Sequence, residues 1–186
     1  QSPESDVINY QSGIEFHQGK IAFTDYLIAN SGLYTTKQTK IAESDSLLIC
    51  VRAPIGNVNY TDRRICIGRG LCSIRPLYNA EIKYWFYSME CLKPILEKKG
   101  TGSTFKAVSL DVLKMQSIPL PPLAEQQRIV AKIEELMPLV EEYDKAQTKL
   151  DDLNRKLPEA LKKLTGQEYG FSQGSMNQFE ESHTIQ

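Results

Sequence analysis

The side chains best suited to bond-making chemistry are few in this 186-residue chain. There are two histidines, His17 and His183, and four cysteines, Cys50, Cys66, Cys72 and Cys91. No two cysteines form a CxxC pair and neither histidine lies near them, so zinc-ligand spacing is missing. Each cysteine sits in apolar sequence, which predicts buried free thiols and a reducing cytoplasm. Asp45, Asp62 and Asp111 are not spaced as a metal cluster. A phosphate-cradling loop needs convergent backbone N–H groups followed by Lys and Ser or Thr. Gly100-Thr101-Gly102-Ser103-Thr104 offers glycines and hydroxyls but lacks that Lys-Ser/Thr and a preceding strand. Gly68-Arg69-Gly70 lacks the third glycine of a dinucleotide turn. No GxSxG elbow or HExxH occurs, and a His-based triad would rest on His17 alone. The expectation is a chain with no catalytic residue, metal or cofactor of its own.

Charge is more informative. The net charge is −1, yet residues 1–118 hold 14 Lys and Arg against 11 Asp and Glu, and residues 119–186 hold 8 against 12. Between Lys37 and Lys106 there are 12 basic and 6 acidic side chains, the natural place for a polyanion to dock. Composition is that of an ordinary soluble globular protein, 41% hydrophobic and 24% charged. No apolar run approaches the ~18 residues of a membrane span, and QSPESDVINY has no signal-peptide pattern. Without an initiator Met, the chain is expected to begin inside a longer gene product.

The elements that must carry these residues separate by pattern. From Val7 to about Ile118 short apolar runs alternate with turns, a mixed α/β texture. Leu47 to Val51 is a continuous apolar run and reads as a buried strand; Arg64 to Gly68 and Leu71 to Pro76 read as further strands. From Ala80 to Lys99 the period becomes helical, with Asn79 as N-cap, Gly100 as stop and Pro94 as a kink or split. Pro119-Leu120-Pro121-Pro122-Leu123 is a stiff connector. Beyond it the period is heptad. The seam runs through Ile129, Ile133, Leu136, Val140, Tyr143, Gln147, Leu150, Asn154, Leu157, Leu161 and Leu164, apolar except at Gln147 and Asn154. A helix with that seam exposed needs a partner, and Pro138 and Pro158 are each expected to bend it, or Pro158 to start a new helix at its first turn. Residues 165–186 read as a polar tail or linker.

The stretch IPLPPLAEQQRIVAKIEELMPLVEEYDKAQTKLDDLNRKLPEALKK, Ile118 to Lys163, resembles the conserved region of the specificity subunit of type I restriction–modification systems. There, Pro-Pro-Leu-x-Glu-Gln, a basic residue and Ile-Val open the spacer helix that follows a target recognition domain. Upstream, SDSLLICVRAPIGNVN, Ser44 to Asn59, resembles the family's Gly-Asp-Ile-Leu-Ile segment, with Ser44 where Gly is usual. KKGTGSTFKAVSLDVLKMQSIPLPP, Lys98 to Pro122, resembles the loop and short helix that close the domain.

The resemblance implies an α+β (mixed α/β) target recognition domain over 1–118, a connector over 119–123 and a coiled-coil helix over 124–164. It implies a non-catalytic subunit of a prokaryotic, cytoplasmic complex. Its partners would be double-stranded DNA, methyltransferase (M) subunits and restriction/translocase (R) subunits, with S-adenosylmethionine, ATP and Mg confined to those partners. In that family one subunit carries two recognition domains and an antiparallel pair of helices. With one of each, this chain is expected to be a half-subunit, a fragment or a one-domain version that pairs with a second copy. The alternative is a coiled-coil scaffold with no DNA role.

Base reading needs Arg, Asn or Gln forks held by phosphate contacts. The candidates fall in two loop regions. The first holds Arg52, Asn57, Asn59, Tyr60, Arg63, Arg64 and Arg69, and the second holds Lys98, Lys99, Thr101, Ser103, Thr104 and Lys106. Lys37 and Lys40 are weaker candidates, and Arg75 beside Pro76 reads as structural.

Overall fold

In the computed structural model, residue 3 and residues 8–9, 12–77, 80–102 and 106–166 are described. Eight strands come first: β1 (Ile8–Asn9), β2 (Ile14–His17), β3 (Tyr34–Thr35), β4 (Ile41–Ala42), β5 (Ser46–Cys50), β6 (Val58–Thr61), β7 (Ile65–Ile67) and β8 (Leu71–Ile74). Three helices follow: α1 (Ile82–Lys99), α2 (Leu110–Lys114) and α3 (Leu123–Thr165). The chain divides into two compact units, Gln1–Ala131 and Lys132–Gln186. No described helix is long and apolar enough to cross a membrane.

In the first unit, β5 explains its own sequence. It is the middle strand of a three-stranded sheet of order β6-β5-β8, and both of its faces are covered. Leu47 and Ile49 turn toward α1, packing with Val58, Phe86, Met89, Leu92, Leu96, Val108 and Leu113. Leu48 and Cys50 turn the other way, onto Ile28, Ala42, Ile65, Ile67 and Leu71. A strand buried on both sides shows no polar alternation, which is why the run reads as continuous. The second sheet has order β1-β3-β2-β7-β4, antiparallel except for the β2–β7 pair, where Phe16 lies beside Cys66. Strands and helices are segregated along the chain, an α+β arrangement.

Helix α1 is capped by Glu81, whose carboxylate accepts from Lys83 N–H; the expected cap, Asn79, lies outside the described residues. Pro94 neither splits nor ends it. The connector is pinned to the start of α1. Tyr84 Oη donates to Pro119 O at 2.7 Å, Gln126 Nε2 donates to Pro121 O at 2.8 Å, and Gln126 Oε1 accepts Glu81 N–H at 3.1 Å. Gln126 and Val130 are the buried residues of α3, so a different face from the expected seam fixes its first turns to the first unit. Ile129 and Ile133 are half-buried.

In the second unit the helix is mainly exposed. Leu136, Val140, Tyr143, Leu150, Leu157 and Leu164 all face solvent, and Leu161 is half-buried. Pro138 and Pro158 both lie inside one helix, so no new helix starts at Pro158. Each proline forfeits one main-chain hydrogen bond, which 43 residues of regular helix tolerate.

Because Gln126 joins Glu81 N–H to Pro121 O through its side chain, Gln126→Ala removes a hydrogen-bond partner from each. It should destabilise the first unit by about 1–3 kcal/mol, read as a lower urea midpoint, while Gln127→Ala, at an exposed position, should leave the midpoint unchanged.

Candidate nucleic-acid interface

Val51 follows β5, and three segments meet at it. Its N–H donates to Gly70 O at 3.0 Å and its carbonyl accepts Val108 N–H at 2.9 Å. One residue on, Arg52 bridges Ala107, which also exchanges two 2.9 Å hydrogen bonds with Thr101. Ala53 N–H donates to Lys106 O at 3.1 Å. Arg52, Thr101 and Lys106 therefore stand on adjacent backbone segments, all exposed, although about 50 residues separate them in sequence.

Two glycines make this close approach possible. A Cβ on Gly56, which adopts φ +83°, would lie 3.0 Å from Lys93 Cα, and one on Gly100 would lie 2.6 Å from Ile55 Cδ1. The Arg52–Asn57 turn is thus seated against α1, with Ile55 buried between them. Lys98 and Lys99, in the last turn of α1, are exposed at the same edge, with Lys99 Nζ donating to Gln116 Oε1 at 3.2 Å. On the other side of Val51, the Gly68–Gly70 turn brings exposed Arg69 alongside the turn that carries Lys20. The Cβ position of Gly70 is 3.8 Å from Gly19.

The result is a cationic ridge of Lys20, Arg69, Arg52, Lys106, Lys98 and Lys99, with Lys93 half-buried behind it. Burial raises the Cys50 thiol to about 11, opposed by the positive charges of Lys20 and Lys93, which places both near the end of β5. Lys20 and Lys93 were not among the sequence candidates. Lys93 falls inside the basic window, so charge alone could have marked it. Lys20 lies outside the window and joins through folding.

Other candidates are held elsewhere, or inward. Asn59 is fully buried: its Nδ2 donates to Thr24 O at 2.7 Å and its Oδ1 is enclosed. Asn57 is half-buried with Oδ1 enclosed. Neither amide can present a fork to adenine. Tyr60 stacks on Tyr26 at 5.2 Å and its hydroxyl donates to Asp45 Oδ1 at 2.6 Å, which raises the phenol well above its usual range. Arg64 is half-exposed, donating to Glu43 Oε1 at 3.3 Å and Gln38 Oε1 at 3.2 Å. Lys40 Nζ donates to Leu71 O at 2.6 Å. Ser103 and Thr104 lie outside the described residues.

Arg63 is the clearest correction. Its N–H groups go to Glu15 Oε2 at 2.7 Å, Glu15 Oε1 at 3.0 Å, Asp62 Oδ1 at 3.1 Å, Ile28 O at 3.2 Å and Ala29 O at 3.2 Å. All five donors of a guanidinium are used, so none is left for guanine. Glu15 is buried, and burial raises its pKa. Hydrogen bonds from Arg63 and Ser31 N–H, with His17 beside it at 2.7 Å, outweigh that and hold the carboxyl at about 2. His17 is buried too; burial, its largest influence, lowers it against the upward pull of Glu15.

The cysteines depart from expectation as well. Cys50 and Cys66 are buried free thiols, Cys72 is half-buried and Cys91 is exposed. Cys91 opens the turn before Leu92 on α1, where period, rather than apolar neighbours, decides which face is covered. Burial also raises the Cys72 thiol, which lines a cavity of about 410 Å³ with Trp85, Met89, Leu110, Leu113 and Ile118. Among the described residues no three His, Cys, Asp or Glu side chains form a metal-holding group.

Comparison with known proteins matches residues 7–155 to the family model described as the type I restriction modification DNA specificity domain. The protein named as the MjaX type I restriction enzyme specificity subunit of Methanocaldococcus jannaschii is 36% identical over 168 residues. That alignment covers 89% of this chain and 39% of the relative. A crystal structure of the HsdS subunit from Thermoanaerobacter tengcongensis superposes with TM-score 0.68 at 36% identity, covering 79% of this chain and 36% of that one. A chain from work on complex assembly and conformational transition of the type I R-M system gives TM-score 0.70 at 35% identity, covering 84% and 39%. The chain thus spans about two fifths of the length of these relatives.

The Glu15 cluster makes two measurable predictions. Arg63→Ala should lower stability by roughly 1.5–3 kcal/mol, seen in urea unfolding, because a buried carboxylate loses its charged donor. Acid should destabilise in two stages. Burial lowers the His17 imidazole in the folded chain, so from about pH 6.5 downward the unfolded chain takes up that proton first. Below about pH 4.5 it also protonates Glu15, which the folded chain keeps ionised until about pH 2, so that contribution is full above pH 4.5 and lost toward pH 2. In Glu15→Gln the second stage should flatten.

Proposed function

The chain belongs to the type I restriction modification DNA specificity family, and from that premise we propose that it reads DNA sequence for a methyltransferase and restriction complex without doing chemistry itself. Methyltransferase subunits dock on it and transfer a methyl group from S-adenosylmethionine to an adenine N6 that they unstack from the duplex. Translocase–nuclease subunits, with their own ATP and Mg, complete the restriction complex. The setting is the prokaryotic cytoplasm. These roles are read from the family and belong to the whole assembly, of which this chain supplies one recognition domain and one spacer helix.

The observation that carries the DNA role is the convergence of two distant loops at Val51 into one cationic ridge. Phosphates bind such a ridge through counterion release, and Arg52, the one Arg at its centre with an exposed side chain, suits guanine. Thr101 and Gly102 let the backbone come close to a phosphate, and Lys98, Lys99 and Lys106 fix register rather than sequence. Arg69 joins the ridge from the Gly68–Gly70 turn, while Arg64 is taken by Glu43 and Gln38. Partner exchange is supported separately by the exposed seam of α3, which needs a second helix to cover it. A scaffold with no DNA role would draw on that seam alone.

DNA affinity in the assembled methyltransferase complex separates these readings. Arg52→Ala, Lys99→Ala and Lys106→Ala should each weaken binding and reduce the slope of log affinity against log salt by about 1. Arg52→Ala should also relax the methylated motif at one position, read by methylome sequencing. Affinity and motif unchanged in all three variants would contradict the DNA role of the ridge.

A further inference from the structure

We propose that the turn Gly19–Ala22 is a third DNA-reading segment, in which Lys20 holds a phosphate and Ile21 packs against the 5-methyl group of a thymine in the major groove. This rests on the reading above that the ridge faces DNA, and it names a base feature and the side chain that recognises it.

The turn reaches the ridge because of how two strands pair. β2 and β7 are parallel, with Phe16 beside Cys66 and His17 beside Ile67, so the chain leaves both at the same edge of the sheet. Gly68 N–H donates to His17 O at 2.8 Å and continues the pairing one residue past β7. Two tight turns then stand side by side. Phe23 N–H donates to Lys20 O at 2.9 Å and closes one; Leu71 N–H donates to Gly68 O at 3.1 Å and closes the other. The second turn is tied to the centre of the ridge, since Gly70 O accepts Val51 N–H. Where the turns meet, a Cβ on Gly70 would lie 3.8 Å from both N and Cα of Gly19.

Ile21 is the side chain that folding leaves without a use. Among the described residues it is the most exposed large apolar side chain, at 93%. The two residues after it are covered: Ala22 and Phe23 pack against the cluster that holds Ile28, Leu48, Cys50, Ile65 and Leu71, and Ala22 O accepts Ala29 N–H at 2.9 Å. The far leg of the turn is therefore anchored in the core, and its tip carries Ile21 outward on a fixed backbone. Single exposed apolar residues are common on protein surfaces and signify nothing by themselves. Ile21 differs in its position, next to Lys20 and alongside the turn that holds Arg69, within a row of cations. A polyanion drawn onto the ridge by Lys20, Arg69 and Arg52 covers Ile21 as well.

Thymine alone of the four standard bases shows a methyl group on its major-groove edge. Isoleucine has no donor or acceptor to offer, so over any other base it leaves polar atoms dry and unpaired. Its β-branch restricts χ1, so little freedom is lost when the contact forms. Lys20, a point charge on a flexible stem, suits a phosphate, which fixes register without reading sequence. DNA also meets such side chains as wedges between base steps, but wedges work from the minor groove of a kinked duplex. Arg52, on the same ridge, suits the major-groove edge of guanine.

The test uses the assembled methyltransferase complex and a duplex carrying its methylated motif, with affinity read by fluorescence anisotropy. Thymines of the motif are replaced one at a time by uracil, which lacks only the 5-methyl group. One replacement should weaken binding about fourfold, the factor that one buried methyl-sized group is worth. This arm needs no protein variant, so a change in folding cannot imitate its result. Ile21→Ser should weaken binding to thymine DNA at least as much, and the same uracil should then make no further difference. It should also relax that one position of the motif in methylome sequencing, whereas Ile21→Val should keep both the affinity and the uracil effect. Lys20→Ala should weaken binding to every sequence alike and lower the slope of log affinity against log salt by about 1. An unchanged slope would overturn its phosphate role. No uracil effect at any position, or one that persists in Ile21→Ser, would overturn the thymine contact. Loss of affinity for all sequences in Ile21→Ser, together with loss of DNA bending by energy transfer, would identify a wedge and overturn it too. If Arg52→Ala and Lys99→Ala weaken binding while Ile21→Ser does not, the thymine contact alone is overturned; if none of the three does, the DNA role of the ridge falls with it.

Discussion

The peptide group of Val51 is the junction on which the first unit's surface depends. Its N–H and carbonyl are both taken by segments from elsewhere in the chain, Gly70 on one side and Val108 on the other. A buried main-chain group must be satisfied, so these two bonds are obligatory once β5 is covered on both faces. They oblige the Gly68–Gly70 turn and the residues around Ala107 to flank Arg52. The cations are brought together by backbone pairing, with their side chains left to face outward. Attraction for a polyanion is therefore built into a scaffold whose own stability comes from apolar contacts, and the repulsion among like charges is held in place by those contacts.

The two units divide the work. The first carries the cationic ridge, and the second carries the exposed apolar seam of α3. Net charge hid this, because an excess of one sign in the first part of the chain nearly cancels the other. Gln126 closes the connector onto α1 and lies in the first turn of the helix that continues into the second unit.

Much of this was legible before folding. The strands β5, β7 and β8, helix α1, the connector and α3 were all visible because each has a period or a stop that a chain cannot carry by accident over that length. The two-residue strands β1, β3 and β4 were not, since a pair of residues has no period; long-range pairing alone makes them strands. Site residues were harder. In β6, Asn59 turns inward while Tyr60 turns out, and a sequence does not say which parity meets the core until the pairing with β5 fixes it. Arg63 looked like any other basic residue of the window, and the carboxylate that occupies it, Glu15, comes from 48 positions away. Lys20 joined the ridge by the same non-local route. The family resemblance rested on the connector and α3, where spacing is local, and so it was carried by the part of the chain that sequence describes best.

Hydrogen–deuterium exchange of the assembled methyltransferase complex, with and without its DNA, tests the central claim most directly. The account predicts that DNA slows exchange in the segments around Arg52–Gly56 and Gly100–Gly102, and in the turn at Arg69, while the Asn59–Arg64 segment is unchanged. Protection confined to Asn59–Arg64, or absent from the first unit altogether, would contradict it.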